Sequence, residues 1–193
     1  MTTKPLLDYF EHVLPLTEAE KSIVAAAFQE RKVKRRHFIL QKGDVCKHHT
    51  FVVAGCFRMY LVDEKGKEHT LQFAIENWWI TDIASFYAAE PSSLYIEALE
   101  HSTVLQLKKE DQSKFFDDSL TFNRIFRTLT ENALVNAHRR ILQNISFTAE
   151  ERYLDFLKRY PQFLQRVSNV QIASYLGVTP EFLSTIRKKM VGS

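Results

Sequence analysis

The sequence predicts an α+β fold in which an N-terminal antiparallel β-roll with flanking helices is followed by one long helix and a C-terminal helix-turn-helix. Three observations carry this. Between about Val33 and Leu107 the hydrophobic period is two, in short runs rich in β-branched and aromatic residues and separated by turn signals. From Ser119 to Ile145 there is neither Gly nor Pro, and apolar residues recur at steps of three or four. From Val167 to Lys188 the residue types fit, slot by slot, two helices joined by a tight turn.

The opening stretch places Leu6, Leu7, Phe10 and Leu14 on one helical stripe after Pro5, a residue suited to a first helical position. Thr17-Glu18-Ala19-Glu20 reads as a capping box, and Ile23, Val24, Ala27 and Phe28 supply the buried face of the helix it opens. The basic run Arg31 to Arg36 precedes a predicted strand and reads as a solvated edge that discourages edge pairing. The strands are expected at 38–40, 50–53, 57–62, 69–73, 94–98 and 103–107, which amounts to a small antiparallel barrel or roll. Lys42-Gly43-Asp44, Ala54-Gly55 and Asp63 to Lys67 supply turns.

The long helix would span about 40 Å at 1.5 Å per residue, more than a small roll needs for cover. Its seam of Phe122, Phe126, Leu129, Ala133, Ala137, Ile141 and Ile145 reads as a surface for a second copy, a two-fold homodimer. The steps lean to four and hold no strict heptad, so packing along its own roll is the alternative. A further capping box, Thr148-Ala149-Glu150-Glu151, opens a helix that ends at Tyr160-Pro161. The expected divisions are 1–118 for the sensor roll with its helices, 119–145 for the dimerisation helix and 146–193 for the helix-turn-helix.

Composition bounds the function. The chain has 193 residues, 45% of them hydrophobic and 15 of them Phe, enough for a sizeable core. No apolar run approaches the roughly 20 residues a membrane span needs, and Met1 to Pro5 show no signal-peptide pattern, so a cytoplasmic protein without a membrane partner is expected. Two cysteines, Cys46 and Cys56, are too few for a zinc or iron-sulfur framework. No nucleophile elbow, P-loop or dinucleotide fingerprint is found. Arg152 to Ser193 hold seven basic residues against two acidic ones, which leaves the remainder of a chain of net charge +3 slightly acidic. A basic C-terminal segment on a near-neutral body suits a polyanion.

In the C-terminal motif, Ile172 and Leu176 bury the first helix, Ala173 is small where the helices approach, and Gly177 takes a left-handed conformation at the turn. Val178 fills the space between the helices, Thr179 caps the second helix, and Pro180 takes its first position. With Leu183 and Ile186 inward, the same helix turns Pro180, Glu181, Ser184, Thr185 and Lys188 outward. Its N-terminal end is the part that meets base edges in such motifs, so its expected partner is double-stranded DNA. Glu181 is placed to accept from a cytosine amino group, and Ser184 and Thr185 to meet bases or a thymine methyl. Arg187, Lys188 and Lys189 are placed to neutralise phosphates.

Roll, long helix and helix-turn-helix in this order resemble the Crp/Fnr family of bacterial transcription regulators over nearly the whole chain. The match is strongest at Ile172 to Lys188. It is also recognisable at Leu40-Gln41-Lys42-Gly43-Asp44, at Val52-Val53-Ala54-Gly55 and at the Asp63 to Lys67 hairpin. The resemblance implies a cyclic-nucleotide-binding-like roll of the double-stranded β-helix kind, a homodimer formed through the long helix, a palindromic operator, and a winged-helix type of DNA-binding domain. RNA polymerase is the further partner such a regulator would address. The chain ends five residues after Lys188, from which a truncated wing is expected.

The family's phosphate cassette, a Gly-Glu pair followed by an Arg-Ser or Arg-Thr pair, falls on Thr81-Asp82 and Ser92-Ser93. Asp82 is placed to take a hydroxyl and Ser93 a phosphate oxygen. Ser92 stands where the phosphate-clamping arginine would be, so the bidentate contact is lost and cyclic AMP is disfavoured as the effector. Trp78, Trp79, Phe86, Tyr87 and Tyr95 either line a pocket for a different effector or fill the core of the roll. The effector-site residues expected on this basis are Asp82, Ser92, Ser93, Trp79 and Tyr95, with no cofactor assigned and the effector unnamed.

Two rivals differ in class. A metal-dependent cupin-like enzyme would use His48, His49 and His69, yet adjacent strand histidines point to opposite faces and cannot share one metal. A cyclic-nucleotide-binding-like module that acts through a protein partner would have no operator.

Overall fold

The computed structural model describes residues 3–191. Its elements are α1 (Lys4–Glu11), α2 (Glu18–Ala27), β1 (Gln29–Val33), β2 (Phe38–Leu40), β3 (His48–Ala54), β4 (Phe57–Val62), β5 (Glu68–Ala74) and β6 (Trp79–Ile80). There follow α3 (Ile83–Ala88), β7 (Leu94–Ala98), β8 (Ser102–Lys108), α4 (Lys109–Asp117), α5 (Leu120–Ser146), α6 (Ala149–Arg159), a 3₁₀ turn (Pro161–Gln165), α7 (Asn169–Leu176) and α8 (Pro180–Val191). The shortened wing expected beyond α8 lies outside the described residues. Among the described residues no helix is long and apolar enough to cross a membrane.

The strands form two four-stranded sheets, ordered β1-β8-β3-β6 and β2-β7-β4-β5. In the first, β8 pairs antiparallel with β1 and β3, with Thr50 opposite Gln106 and Phe51 opposite Leu105. Successive side chains on a strand alternate between faces, so β3 and β8 each present two sets. Phe51, Leu105 and Leu107 pack with Leu6, Phe10, Val24, Phe28 and Phe115 of the helices. The alternate set, including Val52 and Val104, is also buried and lies between the sheets. A sheet covered on both faces explains why these strands read as nearly continuous apolar runs.

β1 was not expected as a strand, because Gln29 to Lys32 are all exposed and polar. It forms the edge of its sheet, so the basic run that seemed only to precede a strand lies partly within one. Cations on an edge strand discourage pairing with another chain.

The capping boxes expected at Thr17 and Thr148 are both formed. At Thr17 the hydroxyl accepts from the Glu20 amide at 3.2 Å and the Glu20 carboxylate accepts from the Thr17 amide at 2.9 Å. Gly55 has φ +107°, and a Cβ there would lie 2.1 Å from the Ser102 hydroxyl, so this turn admits only glycine.

The chain divides into two compact units, one of residues up to Tyr60 together with Gln72–Asn132, the other of Leu61–Leu71 with Ala133–Ser193. The boundary therefore falls inside α5. In the first unit Phe122 and Ile125 are buried in the helix-facing core, with Phe126 and Leu129 packed against it. In the second, every residue of α5 from Ala133 to Arg139 is exposed, as are Ile141, Leu142 and Ile145. The seam expected to run along one face thus splits, its first half serving the roll and its second half left uncovered. The second unit has an aromatic core in which Phe156 lies 5.6 Å from the Tyr175 ring and 6.2 Å from the Phe163 ring.

His49 is buried beside the Phe86 ring at 4.1 Å, and its Nε2 faces the Gln112 side-chain amide at 3.1 Å. Burial holds its pKa down to about 4. An unfolded histidine takes its proton near pH 6.5, so the unfolded state binds more protons between those values. His49 therefore weakens the fold progressively as pH falls from about 6.5 towards about 4 and leaves it undisturbed above that window. Replacing His49 by Gln should shrink the loss of Tm between pH 7 and pH 4.5, as followed by thermal unfolding, and an unchanged loss would contradict this assignment.

Candidate nucleic-acid interface

Ser168 opens α7 through a reciprocal cap with Gln171, accepting from its amide at 3.3 Å while the Gln171 side chain accepts from the Ser168 amide at 3.1 Å. The helix stops at Gly177, whose φ of 70° is the left-handed conformation expected of it. The Gly177 amide then donates to the Ser174 carbonyl and the Val178 amide to that of Ala173, closing the helix end. Two residues on, the Thr179 hydroxyl accepts from the Phe182 amide at 3.2 Å and α8 begins at Pro180.

Packing then fixes how α8 is turned. Ile172, Ala173 and Leu176 of α7 and Leu183 and Ile186 of α8 are buried, Leu183 to 1% exposure. Thr179, Glu181, Ser184, Thr185, Arg187, Lys188 and Lys189 are exposed and Pro180 is half-buried. Residues 181, 184, 185 and 188 share one face by the helical period. The Ser184 and Thr185 hydroxyls donate to the carbonyls of Pro180 and Glu181, four residues back, at 2.9 and 3.1 Å. A change of χ1 rotamer would release either hydroxyl from its carbonyl. Arg187 donates to the Asn169 side chain at 2.6 Å and so braces α8 against the start of α7. Phe182 was passed over in the sequence, yet it is 51% exposed in the first turn of α8. An uncovered aromatic next to Glu181 was the signal that could have singled it out.

The α7–α8 pair is clasped by the hairpin between β4 and β5. Ser174 of α7 accepts from the Thr70 amide at 2.9 Å and donates to the Glu68 carbonyl at 2.8 Å. Arg140 of α5 donates to the carbonyls of Thr70 at 2.9 Å and Tyr175 at 3.1 Å, and also to that of Leu71. Its guanidinium carbon sits 4.2 Å from the Tyr175 ring centre. Burial lowers the pKa of this guanidinium, which nonetheless stays charged because its ordinary value is so high. The turn itself is tied by Asp63, which accepts from the amides of Lys65 and Lys67 at 2.9 Å each and from His69 at 2.8 Å. The His69 bond, ahead of the Lys67 amide, holds the Asp63 carboxyl below its usual range.

The effector-site residues expected from the cassette are placed as follows. Asp82 caps α3 by accepting from the Ser85 amide at 3.2 Å, and its other oxygen accepts from the Ser92 hydroxyl at 2.6 Å. Both side chains are buried, so the pair closes the segment on itself. Ser93 is exposed. Trp79 packs against Phe51, 5.2 Å away, in the core beneath the helices. Tyr95 belongs to the other sheet, where it stacks on Tyr60 at 5.3 Å. Trp79 and Tyr95 thus stand in different sheets, while Trp79, Phe86 and Tyr87 gather around the His49 ring. Residues 81–93 contain no basic side chain, so this segment offers no cation to a cyclic phosphate. Among the described residues no group of three or more His, Cys, Asp and Glu could hold a metal ion.

An antiparallel double-sheet roll is followed by a 27-residue helix and a capped helix-turn-helix. Residues 30–119 match the family described as the cyclic nucleotide-binding domain. FixK2 from Bradyrhizobium japonicum is 20% identical, over 86% of this chain and 85% of its own, with a TM-score of 0.73. A CooA mutant from Carboxydothermus hydrogenoformans is 17% identical over 94% and 83%, with a TM-score of 0.73. A Crp/Fnr-family protein from Eubacterium rectale is 20% identical over 96% and 88%, with a TM-score of 0.71. Comparison with curated proteins gives no match. The chain has the fold of the Crp/Fnr regulators.

Replacing Arg140 by Met keeps the length of the side chain but leaves three carbonyls without their charged donor. A loss on the order of 2–4 kcal/mol from the second unit is expected. Hydrogen exchange at the amides of Glu68 to Leu71 and of α7 should accelerate together, and protection kept in both would show that the clasp contributes little.

Proposed function

We propose that the protein is a DNA-binding transcription regulator of the Crp/Fnr type, a cytoplasmic homodimer that binds a palindromic operator and carries a sensor roll for a small effector. The observation that carries this reading is the face of α8, where Glu181, Ser184, Thr185 and Lys188 stand exposed while Leu183 and Ile186 are buried against α7. A helix presented in this way suits the major groove, with Glu181 accepting from a cytosine amino group and Ser184 and Thr185 reading neighbouring edges. Phe182 adds an apolar contact suited to a thymine methyl. Lys188 and Lys189 serve as phosphate anchors, with Arg187 acting first as a brace and then through its remaining donors. Thr179 and Pro180 fix where the helix begins.

The homodimer is supported by the bare second half of α5. Leu134, Val135, Ile141, Leu142 and Ile145 are each more than half exposed. Leu134, Ile141 and Ile145 share one face by the helical period, and the partner that suits this face is a second copy of the same helix. A two-fold pair would present two α8 helices to two half-sites and thereby require a palindrome. RNA polymerase would be the downstream partner of such a regulator.

Selection from random duplexes should return a two-fold symmetric site, and a protein that enriches none is not an operator-binding regulator. Glu181→Ala and Ser184→Ala should each relax preference at one position of each half-site, at about 1–3 kcal/mol, while Lys188→Ala weakens all duplexes alike. Equal losses on every sequence from all three would refute these roles. Ile141→Glu should convert dimer to monomer in sedimentation and abolish operator binding at the same concentration.

A further inference from the structure

The basic run at 31–36 is larger than the protection of an edge requires. Arg31, Lys32, Lys34, Arg35 and Arg36 are five cations within six residues, and all five are exposed. Arg31 and Lys32 lie on the edge strand β1, where a charge or two is enough to discourage pairing with another chain. Lys34, Arg35 and Arg36 stand beyond the end of that strand and have no edge to guard. Among the described residues none of the five makes an ion pair. The carboxylate of Glu97, whose residue pairs with Phe38, is held by Arg58 at 3.2 Å. Like charges gathered this closely repel one another, so the run weakens the fold unless an anion meets it.

The turn after β1 carries the same signal in its backbone. The His37 amide donates to the Lys34 carbonyl at 3.1 Å and closes a four-residue turn, which the Arg36 amide fastens to the Ala98 carbonyl at 2.7 Å. The third residue of this turn, Arg36, has φ +63°. Glycine or asparagine ordinarily fills such a position, because a Cβ crowds the backbone there. Arginine keeps a charge at the expense of the turn, and an outlier of this kind points to a surface kept for contact. The positive field also reaches past the run: after burial, it is Arg31, Lys108 and Lys47 that hold the His48 imidazole below its ordinary pKa, with Glu110 opposing them.

We propose that this surface of the roll binds the phosphate backbone of duplex DNA without reading its sequence. Duplex DNA carries one negative charge per about 1.7 Å of its axis, and each cation set against it releases a counterion. A protein partner fits less well. Protein interfaces are built around apolar and aromatic cores from which lysine is depleted, whereas Gln29 to Lys32 and Lys34 to His37 are polar and exposed throughout. This contact is additional to the α8 face, and it is inferred from the roll's own residues, so it does not depend on the operator reading above.

The test uses the full-length protein and a duplex of random sequence about 40 bp long, with affinity followed against KCl concentration. Arg36→Gly should weaken binding several-fold while Tm holds or rises, because glycine takes φ +63° without steric cost. The triple variant Lys34→Gln/Arg35→Gln/Arg36→Gly should reduce the magnitude of the slope of log Kobs against log[KCl] by about 2–3, roughly 0.9 for each cation removed. An unchanged slope, a loss of affinity that merely follows a fall in Tm, or no binding of the random duplex by the unaltered protein overturns the proposal. Should the triple variant fail to fold, Arg36→Gly decides alone, by affinity and Tm together. A protein that selects an operator while the triple variant keeps its slope refutes this surface alone. One whose slope falls in the triple variant yet that selects no operator refutes the regulator reading alone.

Discussion

The burial of one sheet on both faces is the constraint on which the first unit depends. β3 and β8 sit at its centre, and each contributes Phe or Leu side chains to the helices on one side and Val side chains to the second sheet on the other. At about 25 cal/mol per Å² of apolar surface, each such side chain contributes roughly 1.5–3 kcal/mol, so neither face can be left uncovered. That requirement recruits α1, α2, α4 and the start of α5 to one face and the β2-β7-β4-β5 sheet to the other. It also makes every polar residue on these strands conspicuous. His49 interrupts the helix-facing set and stays neutral among aromatic rings. Thr50 and Gln106 interrupt the sheet-facing set and are joined by a hydrogen bond.

A different principle governs the second unit, in which short helices with little area to bury are held by satisfied backbone groups. α7 spans only eight residues and α8 twelve. Helices of this length are marginal by themselves. Caps at Ser168 and Thr179, the left-handed closure at Gly177, and Arg140 bonded to three carbonyls supply what length does not. Within this unit Ser174 joins α7 to Glu68 and Thr70 of the Leu61–Leu71 segment.

Much of this was legible in the chain, and the misses share a cause. Capping boxes at Thr17 and Thr148 and the Gly177 turn are local, so residue types a few positions apart suffice to predict them. The inward set Ile172, Ala173, Leu176, Leu183 and Ile186 followed from helical period alone. β1 was missed because an edge strand with exposed polar residues carries no hydrophobic signal. Trp79 and Tyr95 stand close together in the chain and read either as pocket lining or as core of the roll. They separate in the fold, because β6 pairs with β3 while β7 belongs to the other sheet. Arg140 gave no sign of its role, its carbonyl partners on β5 lying 69 and 70 residues away.

By itself, then, the sequence determined the α+β order of roll, long helix and helix-turn-helix, and the set of α8 residues that face outward, since period and capping act over a few residues. Tertiary structure decided what depends on strand pairing. It tied Asp82 to Ser92, split the α5 seam into a covered and a bare half, and clasped α7 through Arg140 and Ser174. Those features join residues far apart in the chain, whose contacts are set by sheet order and by which faces must be buried.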